Sequence, residues 1–430
     1  PEFNTTVRVS VSSDGSETSN WSNTPRISHD GRYVAFTSGD GSLLPDDDNG
    51  YGDVFLKDSQ TGMISFLSSA TDGTLPNSDA KIGDLSDDGS LAVMHSSASN
   101  LVASDTNNAW DIFLKNTSTD ELTLISTNAS GEQANDDSTY ASLNGDGTLV
   151  AFVSEASNLV PGQYNGYAQI FLKDLSTGTV TLVSTDSGGT VGTGHANRPH
   201  LTDNGLFVVF TSTAPNLVAG DTNEKRDIFV KDLTSGAIER VSVATDGTQA
   251  DDDCDDPVIS ADGRYVAFES YATTLVSDDT NGYWDVFLHD RVANTTIRIS
   301  LTEDGLETSD NSHTPRISED GRYVIFHTQG SFVPADTGGW DAYVYDTQAD
   351  TISLVSVNDE GTKGNGATNP VDISGDGKVL SFASYSSNFV SDDTNSQIDI
   401  FVYNYAELPP ETPTLTSRAD ESSSYDRTPT

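Results

Sequence analysis

A repeat of fifty-eight residues constrains this chain more than any other feature. The phrase Ile-Ser-x-Asp-Gly-Arg-Tyr-Val-Ala-Phe recurs, strictly or degenerately, seven times, and its glycines are Gly31, Gly89, Gly147, Gly205, Gly263, Gly321 and Gly377. Five successive spacings are 58 and the last is 56. Such a period means one supersecondary unit stacked many times. It overrides the three or so domains that 430 residues alone would suggest.

Each unit reads as four short strands, A to D. Strand A, of the Arg26-Ile27-Ser28 type, ends in an Asp-Gly turn, a strong hairpin signal because glycine tolerates positive φ. Strand B (Arg32–Phe36, Arg264–Phe268) is a short continuous apolar run, as expected of a strand buried on both faces. Strand C is the Asp-Ile-Phe-Leu-Lys-Asp type, as in Asp111–Asn116, Asp227–Asp232 and Asp285–Asp290. Strand D alternates, as in Thr296–Ser300, which suits a half-exposed edge. Seven such units predict an all-β, seven-bladed β-propeller of four-stranded antiparallel blades. Thr5–Ser28 matches Thr295–Ser318 at 15 of 24 positions, so the chain opens on a D strand, Thr6–Val11. The last unit has only A, B and C, the last being Asp399–Tyr405, and the N-terminal strand is expected to complete that blade and close the ring.

The expected organisation is a leader or vector remnant at 1–4, the propeller at 5–405 and a tail at 406–430. The tail reads either as a Ser/Thr/Pro-rich linker or as the opening strand of a bacterial immunoglobulin-like repeat. The second reading would make the chain one monomeric module of a longer protein. Lysine plus arginine is 21 against 66 aspartate plus glutamate, a net charge of −45. A surface this negative repels nucleic acid and anionic lipid. No apolar run is long enough to span a membrane as a helix, which argues against direct insertion. One cysteine, Cys254, excludes a disulfide framework or a CxxC site.

The unit ISADGRYVAFESYATTLVSDDTNGYWDVFLHD (Ile259–Asp290) resembles the TolB-type, WD-repeat-like propeller family of bacteria, over roughly Thr5 to Tyr405. The resemblance implies fold and an extracellular or cell-surface setting, with the periplasm as alternative, more than it implies an activity.

Sixteen residues after each repeat glycine, an Asp-x-Asn-Gly-x-x-Asp loop opens between strands B and C. Its full versions are Asp47/Asn49/Asp53, Asp105/Asn107/Asp111, Asp221/Asn223/Asp227, Asp279/Asn281/Asp285 and Asp393/Asn395/Asp399. The sixth is shorter (Asp336, Asp341), and in the third both acids are amides, Gln163 and Gln169. Calcium takes six to eight oxygens from such side chains on tight turns, so Ca²⁺ is the expected cofactor. The competing reading gives Asp and Asn ordinary turn and capping roles. Loss of both acids together in the third loop argues for a shared partner.

The B–C loops and D–A crossings should emerge on one acidic face, where Trp110, Trp284, Trp340 and Tyr283 offer rings for stacking on sugars or a protein. No HExxH motif or nucleophile elbow is present. The leading expectation is therefore a non-catalytic, calcium-ordered adhesion module of a secreted or surface protein that binds a glycan or a surface protein. Two alternatives stand beside it, a propeller polysaccharide lyase or hydrolase and a TolB-like scaffold. A neutral or positive pocket holding His200 with Arg26 and Arg316 would favour the lyase or hydrolase.

Overall fold

The computed structural model of the protein describes residues 4–162 and 165–405. Residues 1–3 of the expected leader at 1–4, and the tail at 406–430, lie outside the described residues. All regular structure among the described residues is strand. The chain opens with β1 (Thr5–Arg8), then runs through a complete blade: β2 (Ser22–Ile27), β3 (Tyr33–Ser38), β4 (Asp53–Asp58) and β5 (Ile64–Phe66). Seven four-stranded antiparallel sheets follow one another, making a seven-bladed β-propeller. In the last blade β26 (Thr368–Ile373), β27 (Val379–Ser384) and β28 (Asp399–Asn404) are completed by β1, with Val7 opposite Val402. The closing strand is shorter than the sequence suggests, but Val9 still donates its N–H to the Ile400 carbonyl.

First strands of neighbouring blades touch one another around the axis, and fourth strands lie outermost. Burial follows the sequence pattern: β3 and β4 are buried along nearly their whole length, whereas β5 alternates. Phenylalanines of the second and third strands stack within blades, as in Phe36–Phe55 at 6.0 Å and Phe268–Phe287 at 5.8 Å. The lysine of strand C latches one blade to the preceding one. Lys115 Nζ donates to the Ser69 carbonyl at 2.9 Å and Lys231 Nζ to that of Thr185 at 2.9 Å. The repeat glycine has two reasons to be glycine. Gly89 sits at φ 66°, and a Cβ there would come within 2.5 Å of the Tyr33 ring of the preceding blade.

Candidate functional site

The face built from B–C loops and D–A crossings carries the residues singled out in the sequence. Each loop asparagine is used at both ends of its side chain. Asn107 Nδ2 donates to the Ala134 carbonyl at 2.7 Å while its Oδ1 accepts the Ala109 N–H at 2.9 Å. In the first loop Asn49 Nδ2 donates to Asp53 Oδ2 at 2.8 Å and to the Pro76 carbonyl at 3.3 Å, and its Oδ1 accepts the Tyr51 N–H at 2.9 Å. Asn223, Asn281 and Asn395 repeat the arrangement. Asn165 keeps both bonds in the loop that lacks acids, so the asparagine is a turn residue. The closing acid tethers the fourth strand: Asp53 accepts from Ser68 Oγ at 2.7 Å, Asp399 from Ser10 Oγ at 2.6 Å, and Gln169 from Ser184 Oγ at 2.6 Å.

Calcium is not what holds these acids. Four of the six acidic loops contain a cation of the chain itself. Arg298 Nη1 lies 3.3 Å from both Asp279 and Asp285, and Arg240 Nη1 lies 3.2 Å from Asp221 and 3.5 Å from Asp227. Arg8 Nη1 reaches Asp393 at 3.7 Å and Asp399 at 3.9 Å, and Lys363 Nζ reaches Asp336 at 3.6 Å and Asp341 at 2.8 Å. In the second loop Gln133 Nε2 bridges Asp105 and Asp111 at 2.8 and 2.9 Å. The third loop has Gln169, with Leu182 at the arginine position and Val191 at the crossing position; Gln163 lies outside the described residues. Acids and cation are therefore lost together, which explains the paired loss by an internal ion pair. The first loop, Asp47 and Asp53, has Phe66 at the arginine position and, like the second, no cationic side chain within ion-pair distance among the described residues. There the Asp47 carboxyl is pushed up to about 6 by burial and by Asp53. The Asn49 amide turns its donor, not its oxygen, toward Asp53, so even this loop does not gather three oxygens around one point.

The aromatic residues separate into two groups. Trp110 faces the central opening, packed against His95 at 5.4 Å with Lys81 Nζ 5.2 Å above its ring. Trp284 and Trp340 instead bracket His313, at 5.9 and 5.8 Å, and Trp340 also packs on His327. Tyr283 is exposed beside Trp284.

Sequence reasoning missed most of the central opening. A funnel of about 760 Å³ descends along the axis from the loop-rich face. Its wall is made by the innermost strands, all seven of which carry a register break. Five residues at or beside these breaks have φ between 47° and 54°: Thr24, Tyr140, Arg198, Asp256 and Thr314. A bulge of this kind re-aims side chains, and it turns these innermost strands toward the axis. Four basic residues line the funnel (Arg26, Lys81, Arg198, Arg316) against four aspartates (Asp84, Asp137, Asp256, Asp372). It is thus neutral within a chain of net charge −45.

Along the waist, one repeat position presents Arg26, Asp84, Ser142, His200, Val258, Arg316 and Asp372. Arg26 Nε donates to the Gly83 carbonyl at 2.8 Å, and Arg316 Nη1 to the Pro315 carbonyl at 2.7 Å. Asp84 accepts from Ser142 Oγ at 3.1 Å and the Leu143 N–H at 3.0 Å. Burial pushes its carboxyl up to about 6, against the pull of Arg26. His200 Nδ1 is shielded from solvent and has no hydrogen-bond partner. Burial, then the charges of Arg316 and Arg26, push this imidazole down to about 3, so it is neutral at physiological pH. Higher up, Arg198 pairs with Asp255 and Asp256 and lies 5.8 Å from the Tyr140 ring.

No protein-family model and no curated protein matches the sequence. Solved structures do match in fold. An oligogalacturonate lyase in complex with manganese aligns over 94% of this chain and 93% of its own, at 14% identity and a TM-score of 0.55. The β-propeller domain of the trilobed protease from Pyrococcus furiosus, which has an open velcro topology, aligns over 90% and 94%, at 14% identity and a TM-score of 0.52. TolB from Acinetobacter baumannii aligns over 70% and 59%, at 17% identity and a TM-score of 0.42. At such identities the likeness is one of fold, and the first two structures, with TM-scores above 0.5, agree with the seven-bladed propeller.

The leading functional expectation is corrected on three points. A fold neighbour over nearly the full length is an enzyme, and its metal is manganese. The acidic loops do not form a calcium set. In five of them arginine, lysine or glutamine closes the acids, and the asparagines expected as ligands (Asn49, Asn107, Asn223, Asn281, Asn395) spend their side chains on turn bonds. The pocket named as the mark of a lyase or hydrolase, His200 with Arg26 and Arg316, exists. A non-catalytic, calcium-ordered adhesion module is therefore not the reading these observations support. Nor does the funnel suit a manganese ion. Among the described residues, three metal-ligating groups converge only at His29/Asp87/Glu319 and at Glu17/Asp393/Asp399, and Arg8 already fills the second.

Proposed function

We propose that the funnel binds an acidic oligosaccharide and cleaves it by β-elimination, as a polysaccharide lyase acting outside the cytoplasm, where such polymers are met. One observation carries this reading: a neutral histidine stands among two arginines on the wall of an open, axial cavity. Elimination beside a uronate carboxylate needs that arrangement. Guanidinium groups neutralise the carboxylate and so acidify the adjacent C–H, and a base must take the proton.

In the proposed step Arg26 and Arg316 hold the carboxylate, and His200, through its other ring nitrogen, Nε2, removes the proton from the carbon beside it. The electron pair left behind forms a carbon–carbon double bond as the glycosidic C–O bond breaks. The imidazolium then returns its proton to the departing oxygen. Binding an anion offsets the two guanidinium charges that depress His200, which makes it a stronger base in the complex. Trp110, half-buried on the funnel wall, supplies an apolar face for a neighbouring sugar ring. No step passes through a metal.

The test is incubation with oligogalacturonate, with alginate oligomers and with neutral glucans, and analysis of products by mass spectrometry. Unsaturated products from a uronide alone are expected. Saturated products would indicate hydrolysis, and absence of product from every uronide would overturn the proposal.

A further inference from the structure

The opposite, narrow end of the axial channel carries a different chemistry. Two residues beyond each innermost strand, the seven blades place His29, Asp87, Gly145, Asp203, Ala261, Glu319 and Gly375 around the axis. Backbone hydrogen bonds link successive members: His29 N–H to the Asp87 carbonyl at 3.1 Å, Asp87 to Gly145 at 3.0 Å, Gly145 to Asp203 at 3.0 Å, Ala261 to Glu319 at 2.9 Å, and Glu319 to Gly375 at 3.0 Å. This ring fixes the spacing of the side chains that face a cavity of about 90 Å³.

We infer that this ring is a binding site for one first-row divalent transition metal, held by His29, Asp87 and Glu319 with Asp203 beside them. Ligand atoms of the first three lie within 4.8 Å of one another, and His29 Nδ1 is in contact with Glu319 Oε1. Bonds of about 2.0–2.2 Å span nearly that separation, so a shift of a few tenths of an ångström seats an ion. The neighbouring glycines make the space. A Cβ at Gly375 would overlap Glu319 and His29, and one at Gly145 would overlap the Asp87 carboxylate.

A second observation points to a missing ligand. Asp203 Oδ2 is shielded from solvent and faces the same cavity beside the Glu319 carboxyl, and among the described residues no arginine or lysine pairs with either. Three carboxylates thus meet with one imidazole, and Arg316 is the sole arginine or lysine lining the cavity. An imidazole nitrogen with carboxylate oxygens selects manganese, cobalt or zinc and disfavours calcium, which takes oxygen ligands. Such an ion would tie the first, second, fourth and sixth blades across the axis. The inference is independent of the chemistry proposed at the wide end.

Chelator-treated protein is titrated calorimetrically with Mn²⁺, Zn²⁺ or Ca²⁺ alone. One equivalent of Mn²⁺ or Zn²⁺ should bind, with little or no response to Ca²⁺, and the metal should raise Tm. Both effects should vanish in His29→Ala and Glu319→Gln and persist in Glu17→Gln. Loss in Glu17→Gln with retention in His29→Ala would place the ion in the seventh-blade loop and overturn the assignment. No binding by the parent would overturn it as well. Should those variants not fold, Co²⁺ added to the parent decides the matter. Intense ligand-field absorption of a nitrogen-containing, low-coordinate site supports the inference, and the weak spectrum of hydrated cobalt contradicts it.

Discussion

The outer acidic loops and the inner funnel are built from the same residue types and put them to opposite uses. In the loops, Arg298 is enclosed by Asp279, Asp285 and Glu307, and its charge is spent within the fold. In the funnel, Arg316 lies 3.8 Å from its nearest acid, Asp372, and faces open space beside an unpaired histidine nitrogen. Regular repetition of a charged motif marks charges already spent on the fold. Irregularity at one repeat position marks charges available for chemistry.

The sharpest way to break that contrast is to remove a loop cation. Arg298→Leu should cost about 3–5 kcal/mol in chemical denaturation, because it strands buried carboxylates. Rebuilding the loop on the third-blade pattern, with Asp279→Gln, Asp285→Gln and Glu307→Val added, should recover most of the loss. If the single variant is as stable as the parent, the loop ion pairs are ornamental.

In the funnel the same kind of substitution should act on binding. Arg26→Ala and Arg316→Ala should each weaken calorimetric affinity for an oligouronide by about 1.5–3 kcal/mol, the worth of a hydrogen bond to a charged group. Their effect on stability should be smaller than that of Arg298→Leu. Affinity should also fall as salt is raised.

The repeat made the fold legible. Asp-Gly turns, apolar second strands and the match of Thr5–Ser28 to Thr295–Ser318 suffice for seven closed blades, because each signal is local and recurs. The loops were legible as coupled groups, but their cations were not. Arg298 follows Asp285 by thirteen residues on another strand, and only antiparallel pairing of Phe287 with Arg298 brings it into the loop. The funnel was harder still. Arg26, Asp84, His200 and Arg316 lie one repeat apart in register, so they meet only once the ring closes, and Tyr140 and Arg198 are turned inward by a bulge with no sequence signature. The readable hint was the repeat column itself, which changes charge from blade to blade while its neighbours hold.

Two smaller tests sharpen the account of the loops. Asp47→Asn should stabilise the protein near neutral pH by less than about 1 kcal/mol, since partial exposure screens the repulsion. The folded-state carboxyl is raised to about 6, so the parent loses stability as pH climbs from the ordinary carboxylate range to about 6. The gain from Asn should therefore be full above that window and vanish below it, as thermal melts across pH will record. Added calcium should leave Tm unchanged; a rise abolished by Asp279→Asn would restore a calcium role to the loops.

The central claim is that the funnel performs elimination through His200. Its most direct measurement is the ultraviolet absorbance of the carboxylate-conjugated double bond during incubation with oligogalacturonate, for the parent and for His200→Asn. The parent should generate the chromophore steadily, and the variant should lose turnover while still binding the oligosaccharide. A parent that produces no chromophore from this or any other uronide, or a variant as fast as the parent, would contradict the account.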